Sequence, residues 1–366
     1  MHLAMIIDEQ RLAQEYMMLN RLAVGLISDG IQVTRIVPAE VASEYIQLKE
    51  QRIALAGRLE TDMKTFPWLR STRTEKLAAA MEKRPPDVIF AVGRNAWPIG
   101  LDLARHMNRP LMLDVWSPEQ VRKIPTEKKG QVISAFVTSS KAMRHMLQSV
   151  VDPGLVSVVP FGVPIPQAGR KILTASDDLV TATVVGSGRD LAGYRSLLSG
   201  LHRVSRTIPQ LQIFLELRGP HQQEIWHHAK KLKMLGQIST FPEAAPQRSL
   251  LTQCDILLLP ERYGNINSLI LESMACGMLV LSRRDPILEM LIHEDTALLI
   301  DKDSPDEWAH KLERALQEPE ISRSIGQSAR EHVIEHHSSS RQVLELANLL
   351  ERVVTGGSYA FSKAVG

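Results

Sequence analysis

Between Pro260 and Gly277 the chain reads PERYGNINSLILESMACG, and its polar residues are of the kinds that hold a phosphorylated ligand. Gly264, Asn265 and Asn267 make a loop of small polar residues. Ser268 and Leu269 open a short helix, and the N–H groups of a helix start favour an anion, a phosphate above all. Glu272 lies about one turn inside, where a carboxylate can accept hydrogen bonds from a diol such as a ribose. Further upstream, Gly186-Ser187-Gly188-Arg189-Asp190-Leu191 follows an apolar run. There the backbone N–H groups around Gly188 and the guanidinium of Arg189 suit phosphate oxygens, although Arg189 also reads as a plain surface arginine. In the first half, Asp114 closes an apolar run and is a candidate catalytic or acceptor-site group; a loop-capping role accounts for it as well.

These residues need a scaffold, and the hydrophobic pattern supplies one. Apolar runs at His2 to Ile7, Gln32 to Val37, Val88 to Val92, Leu111 to Val115, Val132 to Val137 and Val156 to Val159 read as strands, with helical stretches between them. The first of those helices, Glu9 to Asp29, carries Leu12, Leu19, Leu22, Leu26 and Ile27 on one stripe. The alternation returns at Leu179 to Val185, Ile213 to Leu217, Ile238 to Phe241, Cys254 to Leu259, Met278 to Leu281 and Ala297 to Ile300. Helices are expected at Pro305 to Gln317, Ile321 to Glu335 and Gln342 to Val353, with a loose tail beyond. Strands alternating with helices imply an α/β fold with doubly wound parallel sheets, whose ligands bind outside the carboxyl ends of the strands. The prolines and glycines of Pro160 to Lys171 interrupt any period. They mark a boundary between residues 1–165 and 166–337, and the final helix, about 338–366, is expected to pack back on the first domain.

A chain of 366 residues is too long for one ordinary core, so two domains are the natural division. The formal charge of +2 gives no reason to expect nucleic-acid binding by bulk attraction. No apolar run reaches the length of a membrane span, and MHLAMIIDEQ is a strand pattern rather than a signal peptide. Cys254 and Cys276 lack CxxC spacing and read as core residues in a reducing compartment, so the expected location is cytoplasmic. The pairs His227-His228 and His336-His337 are adjacent and lack the i, i+4 spacing of a helical metal site. The Gly186 loop is not the dinucleotide fingerprint, because Leu191 stands where its third glycine belongs. Phe66, Trp68, Arg70, Arg73 and Lys76 form an aromatic and basic run. Its two readings are peripheral contact with an anionic membrane surface and a solvated helix face with one anchoring tryptophan.

Specific segments resemble the retaining family-4 glycosyltransferases, also called glycosyl transferases group 1. Val158-Val159-Pro160-Phe161-Gly162-Val163 is similar to the "VIPNGV" that ends their first domain, and Ser139 to Leu147 to the helix before it. Leu271 to Gly277, LESMACG, is close to their "LEAMACG". Pro286 to Glu289, Thr296 to Ile300 and Pro305 to Leu316 resemble the family's downstream segments. The resemblance implies a glycosyltransferase-B architecture: two Rossmann-like domains facing across a cleft, an N-terminal acceptor-side domain and a C-terminal domain that binds the nucleotide sugar. It further implies transfer of a hexose from a nucleotide-diphosphate sugar, a UDP- or GDP-sugar, with retention of configuration, no metal and no cofactor. The acceptor would be a carbohydrate, lipid-linked or small molecule. The second glutamate of the family's E-x7-E motif binds the ribose and matches Glu272. The backbone at Asn267 and Ser268 would lie along the diphosphate, and the family's arginine matches Arg189.

The departures are specific. Gly264 stands eight residues before Glu272, where the family has its first glutamate, and Glu261 is three positions earlier still. The family's "EGFG" is GNIN here. The usual lysine after the arginine is missing, with Arg195 as a possible substitute. Asp8-Glu9-Gln10-Arg11 replaces the glycine-rich loop after the first strand. Each loss removes a group that would position the sugar or stabilise the leaving diphosphate. The alternatives are therefore a degenerate relative that binds a nucleotide or a protein partner without turnover, and another nucleotide-dependent enzyme of two Rossmann-like halves.

Overall fold

The computed structural model describes residues 1–39, 56–64, 66–124, 133–173, 179–262 and 264–364. Within these, backbone contacts divide the chain into two units, Met1–Gly162 with Ser339–Gly366, and Val163–Ser338. Each is an α/β unit on an all-parallel sheet.

Unit 1 holds β1 (His2–Ile7), α1 (Glu9–Ser28), β2 (Gln32–Pro38), β3 (Gly57–Thr61), α2 (Arg70–Ala80), β4 (Val88–Val92), α3 (Trp97–Met107), β5 (Leu111–Asp114), α4 (Pro118–Val121), β6 (Ile133–Thr138), α5 (Lys141–Gln148) and β7 (Val156–Val158). The strand order is β3-β2-β1-β4-β5-β6-β7. β1 is buried along its whole length, as a central strand covered on both faces must be. It pairs Met5 with Arg35 on one side and with Phe90 on the other. Asp8 caps α1 by accepting the N–H of Arg11. Val132, the expected first residue of one strand, lies outside the described residues. β3 is an addition: GRLET is polar and half-exposed at the sheet edge, so it carries no hydrophobic signature.

Unit 2 holds β8 (Val180–Val184), α6 (Leu191–Thr207), β9 (Leu211–Glu216), α7 (Gln222–Lys231), β10 (Ile238–Phe241), α8 (Ala244–Leu251), β11 (Ile256–Leu259), α9 (Ser268–Ala275), β12 (Leu279–Arg283), β13 (Leu298–Ile300), α10 (Pro305–Gln317) and α11 (Pro319–His336). The order β10-β9-β8-β11-β12-β13 runs outward in both directions from the neighbours β8 and β11. Their junction, where Leu258 pairs with Val184, is the point at which such a sheet opens a crevice for a ligand. Val184, Leu215, Leu258, Leu281 and Trp308 lie in the core of this unit.

The last helix, α12 (Ser339–Ala364), is longer than the sequence pattern implies; the segment expected to be loose beyond Val353 is helical to Ala364. It belongs to unit 1. Val343 packs against Gly25 of α1 so closely that a Cβ there would lie 2.4 Å from its methyl group, and Gln342 Nε2 reaches Met18 Sδ at 3.1 Å. No helix among the described residues is long and apolar enough to cross a membrane.

Candidate functional site

The loop after β8 and the residue after Pro260 meet at the switch point of unit 2. Glu261, 3% exposed, turns its carboxylate into the loop. Oε2 accepts the N–H of Ser187 at 2.5 Å, and Oε1 accepts those of Arg189 at 2.7 Å and Asp190 at 2.8 Å. Three backbone donors of one loop, of the kind that cradle phosphate in other loops, are thus taken by a side chain of the protein itself. Sequence reading saw Glu261 only as a glutamate out of register; its partners are backbone groups, which leave no side-chain signal.

A second carboxylate braces the same loop from beneath. Glu216, at the end of β9, accepts the N–H of Gly186 at 3.1 Å and of Ala244 at 3.0 Å, and pairs with Arg218 Nε at 3.0 Å. Burial pushes its carboxyl group upward, against the pull of Arg218 and those N–H groups. The loops after β8 and β9 touch through glycines in the left-handed region. A Cβ on Gly188 (φ +68°) would lie 1.8 Å from the carbonyl oxygen of Arg218, and one on Gly219 (φ +83°) 2.0 Å from that of Ser187. Gly188 therefore serves loop contact here, with Gly219 as the partner that sequence analysis missed.

The Gly-Asn loop after β11 is held by Asp285, whose Oδ2 accepts the N–H of Gly264 at 2.7 Å; Gly264 itself has φ +61°. Asn267 is the N-cap of α9, and its Oδ1 accepts the N–H of Leu269 at 2.8 Å, so that donor is satisfied within the helix start. Asn265 lies half-buried in the same loop. Arg248, from the last turn of α8, donates from Nη1 to Ser268 Oγ at 2.7 Å and to Glu272 Oε1 at 3.0 Å. Both charged side chains of this pair are 11% exposed. Arg248 was not singled out from sequence, because nothing in the short polar run around it distinguishes it from a surface arginine.

The two arginines expected to meet phosphate differ in setting. Arg189 is exposed at the loop tip. Arg195 is exposed on α6, and its charge acts on Glu224 and His228 of α7. Between them Asp190 caps α6 through the N–H of Gly193 at 3.0 Å. Arg283, at the end of β12, pairs with Asp190 and lies 3.5 Å from Asp303. The crevice rim thus joins β8, β9, β11 and β12 through side chains near their carboxyl ends.

Asp114 belongs to unit 1. It is 5% exposed and its Oδ2 lies 3.2 Å from Arg11 Nε. The Arg11 guanidinium stacks over Trp116 at 4.7 Å and Phe161 at 5.0 Å, and Asp8 stands near enough to act on Asp114. Burial raises the Asp114 carboxyl group to about 6; Arg11 opposes this and Asp8 adds to it. A cavity of about 30 Å³ adjoins the pair, lined among others by Phe90, Thr138 and Gln342, with room for a water molecule or two. Among the described residues no group of three or more His, Cys, Asp and Glu is arranged to hold a metal ion.

Two parallel-sheet units of this topology define the glycosyltransferase-B fold. The fold matches across nearly the whole chain: a glycosyltransferase from Rickettsia africae superposes with a TM-score of 0.73 at 13% identity, covering 96% of this chain and 98% of that one. HepE of Anabaena, crystallised with UDP and glucose, superposes with a TM-score of 0.72 at 15% identity, covering 95% and 99%. Residues 168–332, most of the second unit, match the model for glycosyl transferases group 1. A D-inositol 3-phosphate glycosyltransferase of Segniliparus rotundus is 22% identical over 234 residues, 59% of this chain and 52% of the relative. The chain thus spans about half the length of that curated relative.

Proposed function

We propose that the protein transfers a sugar from a UDP- or GDP-sugar to a carbohydrate, lipid-linked or small-molecule acceptor, with retention of configuration and without a metal ion or cofactor. The observation that carries the reading is the placement of Glu272. It stands inside the first turns of α9, past the carboxyl end of β11, with its carboxylate oriented by Arg248, and it matches the glutamate that binds ribose in the family. Arg189 and Arg195 supply positive charge that would offset the charge developing on the leaving diphosphate. The reading assigns Asn265, Asn267, Ser268 and Leu269 to the donor side with Gly188 and Gly264, although Ser268 and Leu269 are buried and the Leu269 N–H is already used by the cap. Asp114 is the unit 1 candidate for catalysis, and its use requires that Arg11 release it. The fold-level likeness to a protein crystallised with UDP and glucose supports the choice of donor class.

The experiment is titration calorimetry of UDP, GDP, ADP and their sugars, followed by donor hydrolysis and transfer assays. Glu272-dependent binding of one nucleotide together with turnover supports the reading. A second reading, a nucleotide-binding protein without turnover, is favoured by two observations. Glu261 fills the donors of the Gly186 loop, and Gly264 replaces the glutamate that the family uses. Glu272-dependent binding without hydrolysis or transfer to any acceptor would establish it.

A further inference from the structure

Unit 1 contains a basic pocket that the proposed chemistry does not use. Its volume is about 330 Å³, and Arg70, Arg94, Trp97, Asp102, Arg105 and Lys123 are among the residues that line it. The residues come from separate elements: Arg70 from the first turn of α2, Arg94 from the turn after β4, Arg105 from α3, and Lys123 from just beyond α4. Ion pairs lie at its edge, with Arg73 3.5 Å from Asp102 and Lys123 2.5 Å from Glu119. Of the charged residues that line the pocket, four are basic and one, Asp102, is acidic.

The chain that enters α2 carries exposed apolar side chains immediately before Arg70 in sequence. Phe66, Trp68 and Leu69 are 61%, 73% and 47% exposed. The rings of Phe66 and Trp68 stack with centroids 4.8 Å apart and planes 5° from parallel. Isolated exposed apolar residues are ordinary; a stacked aromatic pair directly before a pocket-lining arginine is a patch. A soluble phosphate would be served by the cations alone. Exposed aromatics beside clustered basic residues match the interface of an anionic bilayer, where rings sit at headgroup level and basic side chains meet lipid phosphates.

We infer that this face of unit 1 docks on an anionic phospholipid surface, with a lipid phosphate in the Arg70–Arg94–Arg105–Lys123 pocket and the Phe66–Trp68 pair in the headgroup layer. The inference stands independently of sugar transfer.

The test is co-sedimentation of the full chain with vesicles of phosphatidylcholine alone and of phosphatidylcholine mixed with phosphatidylglycerol. The expected result is partition onto the mixed vesicles only, weakening as salt is raised. Arg70→Ala with Arg94→Ala should lower the partition coefficient about 25-fold, roughly fivefold per charge. Phe66→Ser with Trp68→Ser should lower it about tenfold or more. All four side chains are exposed, so unchanged thermal midpoints are expected to show that the variants fold. Arg206→Ala with Lys230→Ala, exposed in unit 2, should leave partition unchanged. Absence of selective binding to the mixed vesicles overturns the inference, and so does binding insensitive to either unit 1 pair. Calorimetric binding of glycerol phosphate without vesicle binding also overturns it, by making the pocket a site for a soluble phosphate.

Discussion

Glu261 accepts the backbone N–H of Arg189 at 2.7 Å, across 72 residues of sequence. The loop that would offer its amides to a phosphate is thereby closed by an internal anion. A nucleotide in unit 2 must then be held chiefly by side chains and by the start of α9. Glu261→Ala removes the acceptor from three donors in a nearly closed setting. The expected destabilisation is about 2–4 kcal/mol, read from the urea midpoint. A change below about 1 kcal/mol would show that water replaces the carboxylate readily.

Glu272→Ala should weaken binding of the cognate nucleotide by about 1–3 kcal/mol, the scale of a lost hydrogen bond to a charged group. Calorimetry with UDP and GDP measures this. Arg248→Ala should weaken the same affinity, because Arg248 orients Glu272, and the two losses should be non-additive in the double variant. Additive losses would mean that Arg248 meets the ligand by a route of its own. Unchanged affinity in Glu272→Ala would remove the ribose role.

Gly264→Glu places the family's glutamate on a residue with φ +61°. A side chain in that conformation costs about 1–2 kcal/mol, so a lower thermal midpoint is expected, with Gly264→Ala as the control for backbone cost alone. Donor hydrolysis is the second readout. If it rises despite the lower stability, the missing carboxylate was what limited the site; if it falls with the glutamate but not with alanine, the GNIN loop is a working geometry of its own.

The fourth prediction concerns Asp114. Its carboxyl group loses its proton near pH 6 in the folded chain and near the ordinary 3.8 when unfolded. Between those values the folded state holds the extra proton. Stability from this residue therefore falls as pH rises through the window, and levels off above it. Asp114→Asn removes the dependence. From about pH 4 to about pH 7 the stability difference should shift in favour of the variant by up to about 3 kcal/mol. Denaturant titrations at stepped pH measure it, and a difference that stays constant would be evidence that Asp114 titrates normally.

Much of the scaffold was legible because parallel strands buried on both faces are nearly continuous apolar runs. Val88 to Val92 and Ile238 to Phe241 fall at their expected limits. β3 escaped because an edge strand such as GRLET buries little. Within the candidate site, residue types read well and partnerships did not. Glu272 was evident, but Arg248 lies 24 residues before it in an unremarkable polar run. Asp114 was evident, but the cation that holds it, Arg11, sits on the first helix. Glu261 lay in full view and was passed over, since its ligands are amides that every residue type carries. Gly188 drew notice as a loop glycine; that it exists to meet Gly219 depends on two loops that only the fold brings together.

The helix that completes unit 1 is translated after all of unit 2. Val343, Leu346 and Leu350 of α12 are buried, and the helix packs on α1 with further contacts to β4 and β6. A ribosome-bound chain therefore carries the first sheet with one flank uncovered while Val163–Ser338 emerges as a contiguous piece able to close its own core. Although domains usually mature in the order of synthesis, here the later unit should reach its native state first. The earlier one must wait, apolar surface exposed, which makes the nascent protein a natural client for chaperones that shield such surface.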